Sequence, residues 1–403
     1  MLSSSSLKKF KCLYQCLVSS TSLIFLKIER PLSRIRMIRV GRPYFSDEDI
    51  SEILSEIASV LRSGWLTSGI FVERFEREFS GLIGTKYAVA LNSGTAALHA
   101  ILSAIKLNPD DEVIVPANTF ISTVNAVLYV GAKPVLADCD IDTFNVTAET
   151  IERSLSPKTK AVIVTHIGGN PCEMDEIVKL CEERGLILIE DAAHAHGSKY
   201  RGKFCGTFGL ANAFSFYPTK VITSGEGGIV TTESEEIYEY IRTFRNVGRR
   251  ELGHGPIIML GYNYRMSEIH AVIGINQLKH LLEFVKKRNE IAKIYNEELE
   301  RIKWIEPQKI HAHSISSYYA YIVKILPNSP ISRDALMKYL AERGIETTVM
   351  FRPVHMQPFL SNVRNSYPNA EFIGTNSLAL PMHIGLSIDD IYYVINTIKE
   401  AGK

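Results

Sequence analysis

Little in this 403-residue chain stands out by excess. Lys+Arg number 45 against 44 Asp+Glu, a formal charge of +1, so no global field draws it to nucleic acid or to an anionic membrane. There are only six cysteines, at 12, 16, 139, 172, 181 and 205, and none forms a Cys-x-x-Cys pair. That spacing matches neither a zinc site nor a dense disulfide framework, and a reduced, cytoplasmic setting is the expectation. No run of about 20 apolar residues occurs, which leaves no transmembrane helix to expect. Internal repeats and low-complexity tracts are also lacking. What remains is an ordinary globular composition, 46 % hydrophobic and 22 % charged. A chain of this length buries a large core without a disulfide or metal staple and suggests two or three domains.

The first 36 residues differ from the rest. Lys8, Lys9, Lys11, Lys27, Arg30, Arg34 and Arg36 face a single acid, Glu29, among many serines, and the uncharged run from Cys12 to Leu26 is short for a bilayer. Residues 1–36 read as a basic extension, either a targeting segment or an over-extended start ahead of Met37.

From Ser46 the helix signals are strong. Ser46 and Asp49 form a capping-box pattern, and Ile50, Ile53, Leu54, Ile57, Val60 and Leu61 follow helical spacing. Short apolar runs at Tyr87–Leu91, Glu112–Val115, Pro134–Ala137, Ala161–Thr165 and Leu186–Glu190 then alternate with helical segments at 95–105, 122–130, 148–155 and 174–184. Such alternation implies a mainly parallel sheet with helices on both faces. Two closer strands, Ala211–Phe216 and Gly228–Thr232, precede a helix over 235–245. One long helix, about Ser267 to Arg301, is expected to lead out of this large domain, 37–280, into a smaller α/β domain, 281–403.

In an open parallel sheet, ligands bind beyond the carboxyl ends of the strands, and four elements fall there. Asn92-Ser93-Gly94-Thr95-Ala96-Ala97 leads a strand into a helix; small residues and a helix N-terminus suit an anion, although plain turn chemistry uses the same residues. Glu190-Asp191-Ala192-Ala193-His194 follows an apolar strand. It reads as a helix cap or as a carboxylate fixed in the cleft, and a metal reading of Asp191, His194 and His196 lacks a further spaced ligand. Lys220, in Phe214-Ser215-Phe216-Tyr217-Pro218-Thr219-Lys220 ahead of Gly225-Glu226-Gly227-Gly228, is a surface lysine or a desolvated nucleophile. Phe120, just past a strand, is a core aromatic or a stacking face.

Together the four converge. A phosphate cradle, an aromatic face, a carboxylate and a lysine 29 residues further on are what pyridoxal phosphate requires. The lysine forms the Schiff base and the carboxylate keeps the pyridine nitrogen protonated. With Gly261-Tyr-Asn-Tyr-Arg-Met266 added to these segments, the chain from about Gly41 to Ala401 resembles the DegT/DnrJ/EryC1/StrS aminotransferase family, sugar aminotransferases of the pyridoxal-phosphate fold type I.

That resemblance implies an α/β fold, a large domain with a mainly parallel mixed sheet and a smaller C-terminal α/β domain. It implies that Lys220 holds the cofactor and moves the proton, Asp191 pairs with the pyridine nitrogen, Phe120 stacks on the ring, and Gly94, Thr95 and Ser215 bind the phosphate. Asn263 would reach the phosphate of a neighbouring subunit in a homodimer with shared sites. His194 stands where the family commonly has Gln beside the ring hydroxyl, a departure also met in relatives acting on cyclitols and aminoshikimate-type substrates. The implied partners are an amino donor, glutamate or glutamine, and a nucleotide-linked keto-sugar acceptor, in amino-sugar or polysaccharide biosynthesis, without metal, nucleic acid or membrane. The alternatives are a keto-cyclitol or aminoshikimate-type acceptor, another fold type I reaction such as elimination, and a non-catalytic regulator that kept the fold. His355 is open between a pocket role and a structural one. For Arg265 a structural ion pair is the expectation, and Cys139 and Cys172 read as buried small residues.

Overall fold

The computed structural model describes residues 37–251, 253, 255–360 and 365–403, all within one unit, Met37–Lys403. The basic segment 1–36 lies outside the described residues. Ser46 caps the helix Asp47–Ser63, its hydroxyl accepting from Asp49 N while the Asp49 carboxylate accepts from Ser46 N, and Gly64 closes the helix at φ +71°. Helix Ile70–Ile83 follows. The chain then runs through β1 (Tyr87–Leu91), β2 (Glu112–Pro116), β3 (Lys133–Ala137), β4 (Thr159–Thr165), β5 (Ile187–Asp191), the short β6 (Lys199–Tyr200) and β7 (Lys203–Phe204), β8 (Ala211–Ser215) and β9 (Gly228–Thr232). Helices Gly94–Ala104, Ile121–Tyr129, Ala148–Glu152 and Met174–Arg184 connect the early strands, and Glu235–Arg245 follows β9.

Seven strands form the main sheet in the order β1-β9-β8-β5-β4-β2-β3. All run parallel except β9, which is antiparallel to both β1 and β8. The reversal follows from the connection: a parallel return needs a crossover, usually a helix, whereas Phe216–Gly227 is a loop. That loop carries Lys220. The strands are mostly apolar because both faces are covered, with polar residues such as Asp191 and Ser215 at their ends. Ile101, Val115 and Val230 pack on one side, and Phe75, Phe79, Phe214 and Phe216 on the other. The open edge of β1 is blunted by side chains: Glu76 accepts from Ala90 N at 2.8 Å, and Arg245 pairs with Glu76 and donates to Ala90 O.

The helix expected over Ser267–Arg301 is two helices, Glu268–Lys279 and Leu281–Leu299, meeting at His280. His280 accounts for the break. Its Nε2 lies 2.8 Å from the Asp49 carboxylate, and its ring stacks on Phe284. Beyond it, β10 (Ile305–Pro307), β12 (Tyr321–Ile325) and β13 (Ser377–Leu380) form a three-stranded antiparallel sheet. It packs through Tyr295, Tyr321, Leu336 and Ile395 on the helices Leu281–Leu299, Arg333–Ala341 and Ile388–Ala401. β11 (Ser314–Ile315) pairs with β6. Among the described residues no helix is long and apolar enough to cross a membrane.

Candidate active site

The parallel strands β1, β2, β4, β5 and β8 end on one edge of the sheet, where an open α/β fold places its crevice. At the end of β1, Ser93 caps the helix Gly94–Ala104 by accepting from Ala96 N, and Thr95 donates to Ser122 at 2.8 Å. No acid stands in that helix's first turn, so its dipole favours an anion. Glycine is required here by contact. A Cβ on Gly94 would lie 2.8 Å from Ser215 Cβ, and one on Gly228 would lie 2.2 Å from Ser93 O and 2.7 Å from Gly94 N. The starts of the helix and of β9 and the end of β8 are thus pressed together, which places Gly94, Thr95 and Ser215 side by side.

Asp191 ends β5 and is buried. Thr123, from the first turn of Ile121–Tyr129, donates to its carboxylate at 2.7 Å, and Ala193 N donates at 3.2 Å. Behind Thr123 runs a chain of hydroxyls, Thr123 to Thr119 at 3.0 Å and Thr119 to Thr165 at 3.0 Å. Burial raises the Asp191 pKa, against these donors and the charge of Lys220. For Lys220 the balance runs the other way. Burial lowers its pKa to about 8, with Asp191 resisting.

His194 is buried in the turn after β5. Burial, then the charge of Lys220, pushes its pKa well below the usual value, so it is neutral. Its ring stacks on Tyr319 at 4.2 Å and 20° and lies parallel to Phe351 at 5.6 Å. The Nδ1 atom is buried and has no hydrogen-bond partner among the described residues. Phe120, preceding the helix Ile121–Tyr129, is 55 % exposed and 6.1 Å from Phe351, so it is not a core residue. Asn263 is exposed, on a segment bridged to Asn246, with its carbonyl accepting from Asn92. The structure thus gathers Lys220, Asp191 and His194 and sets Gly94, Thr95 and Ser215 together, while Asn263 stays exposed beside Asn92, just before that turn.

Glu190 points elsewhere. Its carboxylate accepts from the N–H groups of Gly206, Phe208 and Gly209 and meets His166 Nε2 at 2.9 Å. Because His166 Nδ1 accepts from Cys172 N, the proton sits on Nε2 and is donated to Glu190. Burial pushes Glu190 up, but these donors outweigh it and hold the carboxyl below its usual range. His166, Glu190 and Cys205 bring ligand-type atoms within 4.8 Å of one another, yet Glu190 and His166 are already spent on internal hydrogen bonds. His196 lies between Phe214 and Phe216, and burial, then Lys220, lowers its pKa to about 3. His355 is tied to Glu371 at 3.2 Å and packs on Tyr367. Arg265 makes no ion pair among the described residues and instead donates to Asn246 at 2.9 Å; Asn246 supplies a neutral acceptor where an acid was expected. Cys139 and Cys172 are buried.

Sequence reasoning missed Tyr319, Phe351 and Thr123. Thr123 left a faint signal, a hydroxyl among the otherwise apolar buried residues of its helix.

The profile of the DegT/DnrJ/EryC1/StrS aminotransferase family matches residues 47–399. The chain belongs to that family. Among relatives of this aminotransferase, the GDP-perosamine synthase of Escherichia coli O157:H7 is 38 % identical over 345 residues, 84 % of this chain and 93 % of that protein. The spore coat polysaccharide biosynthesis protein SpsC of Bacillus subtilis is 36 % identical, covering 87 % and 95 %. Among solved structures, Spr1654 of Streptococcus pneumoniae in its PLP form superposes with a TM-score of 0.85 at 29 % identity, covering 91 % and 98 %.

The residues present fit the pyridoxal phosphate of a family aminotransferase. A buried carboxylate with two donors faces the site beside Lys220, the orphaned Nδ1 of His194 lacks a partner among the described residues, and the Gly94–Ser215 contact forms a cradle that a Cβ would fill. The regulator reading explains none of these, and the aminotransferase family settles the class.

Proposed function

We propose that this enzyme moves an amino group from glutamate or glutamine to a keto-sugar, nucleotide-linked, in amino-sugar or polysaccharide biosynthesis. One observation carries the site assignment: Asp191 ends β5 and Lys220 follows β8, the parallel strand paired with it, so a buried carboxylate and a lysine share one end of the main sheet. The names of the relatives, GDP-perosamine synthase and a spore coat polysaccharide protein, support the acceptor class.

Pyridoxal phosphate, when bound, would supply an electron sink that lets the substrate carbon bearing the nitrogen lose and regain a proton. Each protein group then has a task. Lys220 holds the cofactor covalently, and near neutral pH its lowered pKa suits it to take and return a proton. Asp191, oriented by Thr123, holds a proton on the pyridine nitrogen. The neutral His194 offers its unpartnered ring nitrogen to the ring hydroxyl. Gly94, Thr95 and Ser215 bind the phosphate at the helix N-terminus, and Phe120 covers the ring face. Asn263, exposed in this chain, serves the phosphate in a second copy of this chain, a homodimer. The large domain, 37–280, carries the main sheet, and the smaller one, 281–403, carries β10, β12 and β13.

The test is a two-part assay: L-glutamate or L-glutamine as donor, then nucleotide-linked keto-sugars as acceptors. Amino-sugar product, lost in Lys220→Ala, is the expected result. Turnover only with keto-cyclitols, or full turnover by Lys220→Ala, would overturn the reading.

A further inference from the structure

Tyr319 lies outside the strands, just before β12, and packs against two clusters of the core; the surrounding chain also fixes it from both sides. The preceding residue, Tyr318, sits at φ +44°, a left-handed conformation that an aromatic residue rarely adopts and that the surrounding contacts must hold. Arg288, itself buried, holds the segment by donating to the carbonyls of Tyr318 at 2.8 Å and Met382 at 3.0 Å. On the other side, Ser317 donates to the carbonyl of His194 at 2.8 Å and accepts no slack from Gly169, whose Cβ would lie 2.2 Å from Ser317 Oγ.

This frame points the Tyr319 ring into the site. It stacks on His194 at 4.2 Å, and Lys220 Nζ lies 4.6 Å from its centroid. The hydroxyl lies 3.2 Å from Thr219 Oγ1, the residue before Lys220. A lysine nitrogen over a tyrosine ring is attracted when it is a cation and not when it is neutral.

We propose that Tyr319 is a positioning residue for Lys220: its ring stabilises positive charge on the lysine nitrogen, and its hydroxyl ties down the adjoining loop through Thr219. The inference rests on the reading that Lys220 holds the cofactor. It adds a residue from the segment leading into β12, so that the small sheet and the lysine loop share one side chain.

The ring acts among few other charges. Asp191, on β5, is the carboxylate that favours the cation. His194 and His196 are kept neutral by burial, and the positive charge of Arg288 lies behind the backbone of Tyr319, on the side of its carbonyl. Removing the ring therefore leaves Asp191 alone to stabilise the proton.

The experiment is a pH titration of the visible band of the holoenzyme, which changes when the lysine nitrogen joined to the cofactor loses its proton. Wild type and Tyr319→Phe are expected to share a midpoint, because both keep the ring. Tyr319→Leu is expected to titrate about half to one pH unit lower, the size of an ordinary cation–π contact. If Tyr319→Leu does not hold the cofactor, Tyr319→Met and Tyr319→Trp replace it, with Met expected lower and Trp at or above wild type. Coincident midpoints for wild type and the ringless variants, or a Phe midpoint displaced as far as Leu, would overturn the inference. Absence of any visible band in the wild-type protein supplied with pyridoxal phosphate would instead overturn the underlying reading of Lys220.

Discussion

Thr123 donates a 2.7 Å hydrogen bond to the buried carboxylate of Asp191, from a helix that begins after β2 to a strand end two positions away in the sheet. A hydrogen bond to a charged group contributes about 1.5–3 kcal/mol. Thr123→Val is therefore expected to lower kcat for the amino-donor half-reaction about 10- to 100-fold while the protein still takes up pyridoxal phosphate. Stopped-flow absorbance checks this, and an unchanged kcat would show that Asp191 keeps its orientation without the threonine.

The contact between Ser93-Gly94 and Gly228 gives a second prediction. Gly228→Ala sets a methyl group against backbone at 2.2 Å, so the helix start must move and the cofactor dissociation constant rises at least tenfold. Gly131→Ala is the control. It has φ +79° but nothing within 4 Å, so it costs about 1 kcal/mol of stability through backbone strain and leaves cofactor affinity alone. Dialysis of pyridoxal phosphate and urea unfolding separate the two effects.

A third prediction concerns pH in the cofactor-free protein. The Lys220 pKa falls from its ordinary 10.5 to about 8 on folding. Between those values the unfolded chain binds more protons than the folded one, so this group makes stability rise with pH from about 8 to about 10.5. Below pH 8 both states are protonated and the contribution is flat. Lys220→Met removes that rise, as urea unfolding at pH 7, 8.5 and 10 would show. Cofactor capture by the wild type should also accelerate through pH 8, as the amine becomes nucleophilic.

Much of this arrangement was legible from the chain. The strands are short apolar runs bounded by turns, and a sheet covered on both faces demands such runs. Lys220, Asp191 and the Gly94 turn stood out because each is a polar or small residue placed just past a strand end. Tyr319 and Phe351 were hidden, since aromatic residues near strands belong to the core far more often than to a site. The break at His280 was hidden too: Leu278, Leu281 and Val285 continue the apolar period across it, and the contact with Asp49 on the first described helix decides the break. The return of β9 as an antiparallel strand depended on the intervening loop containing no helix.

Glu190 carries a fourth prediction. It is buried, accepts three backbone N–H groups and pairs with His166. Glu190→Gln puts an amide donor against those donors and is expected to destabilise the fold by about 1–3 kcal/mol, the cost of leaving a buried donor unsatisfied. Thermal unfolding measures it; a loss under about 1 kcal/mol would mean that the Gly206–Gly209 turn rearranges without cost.

The central claim is that Lys220 joins the cofactor beside Asp191, and the visible absorption spectrum of the purified protein tests it most directly. Supplied with pyridoxal phosphate, the wild type should show the band of a lysine-bound cofactor, which L-glutamate or L-glutamine then bleaches as the amino group passes to the cofactor. Lys220→Ala should show no such band. A band that persists in Lys220→Ala, or a wild type that never acquires one, would contradict the account.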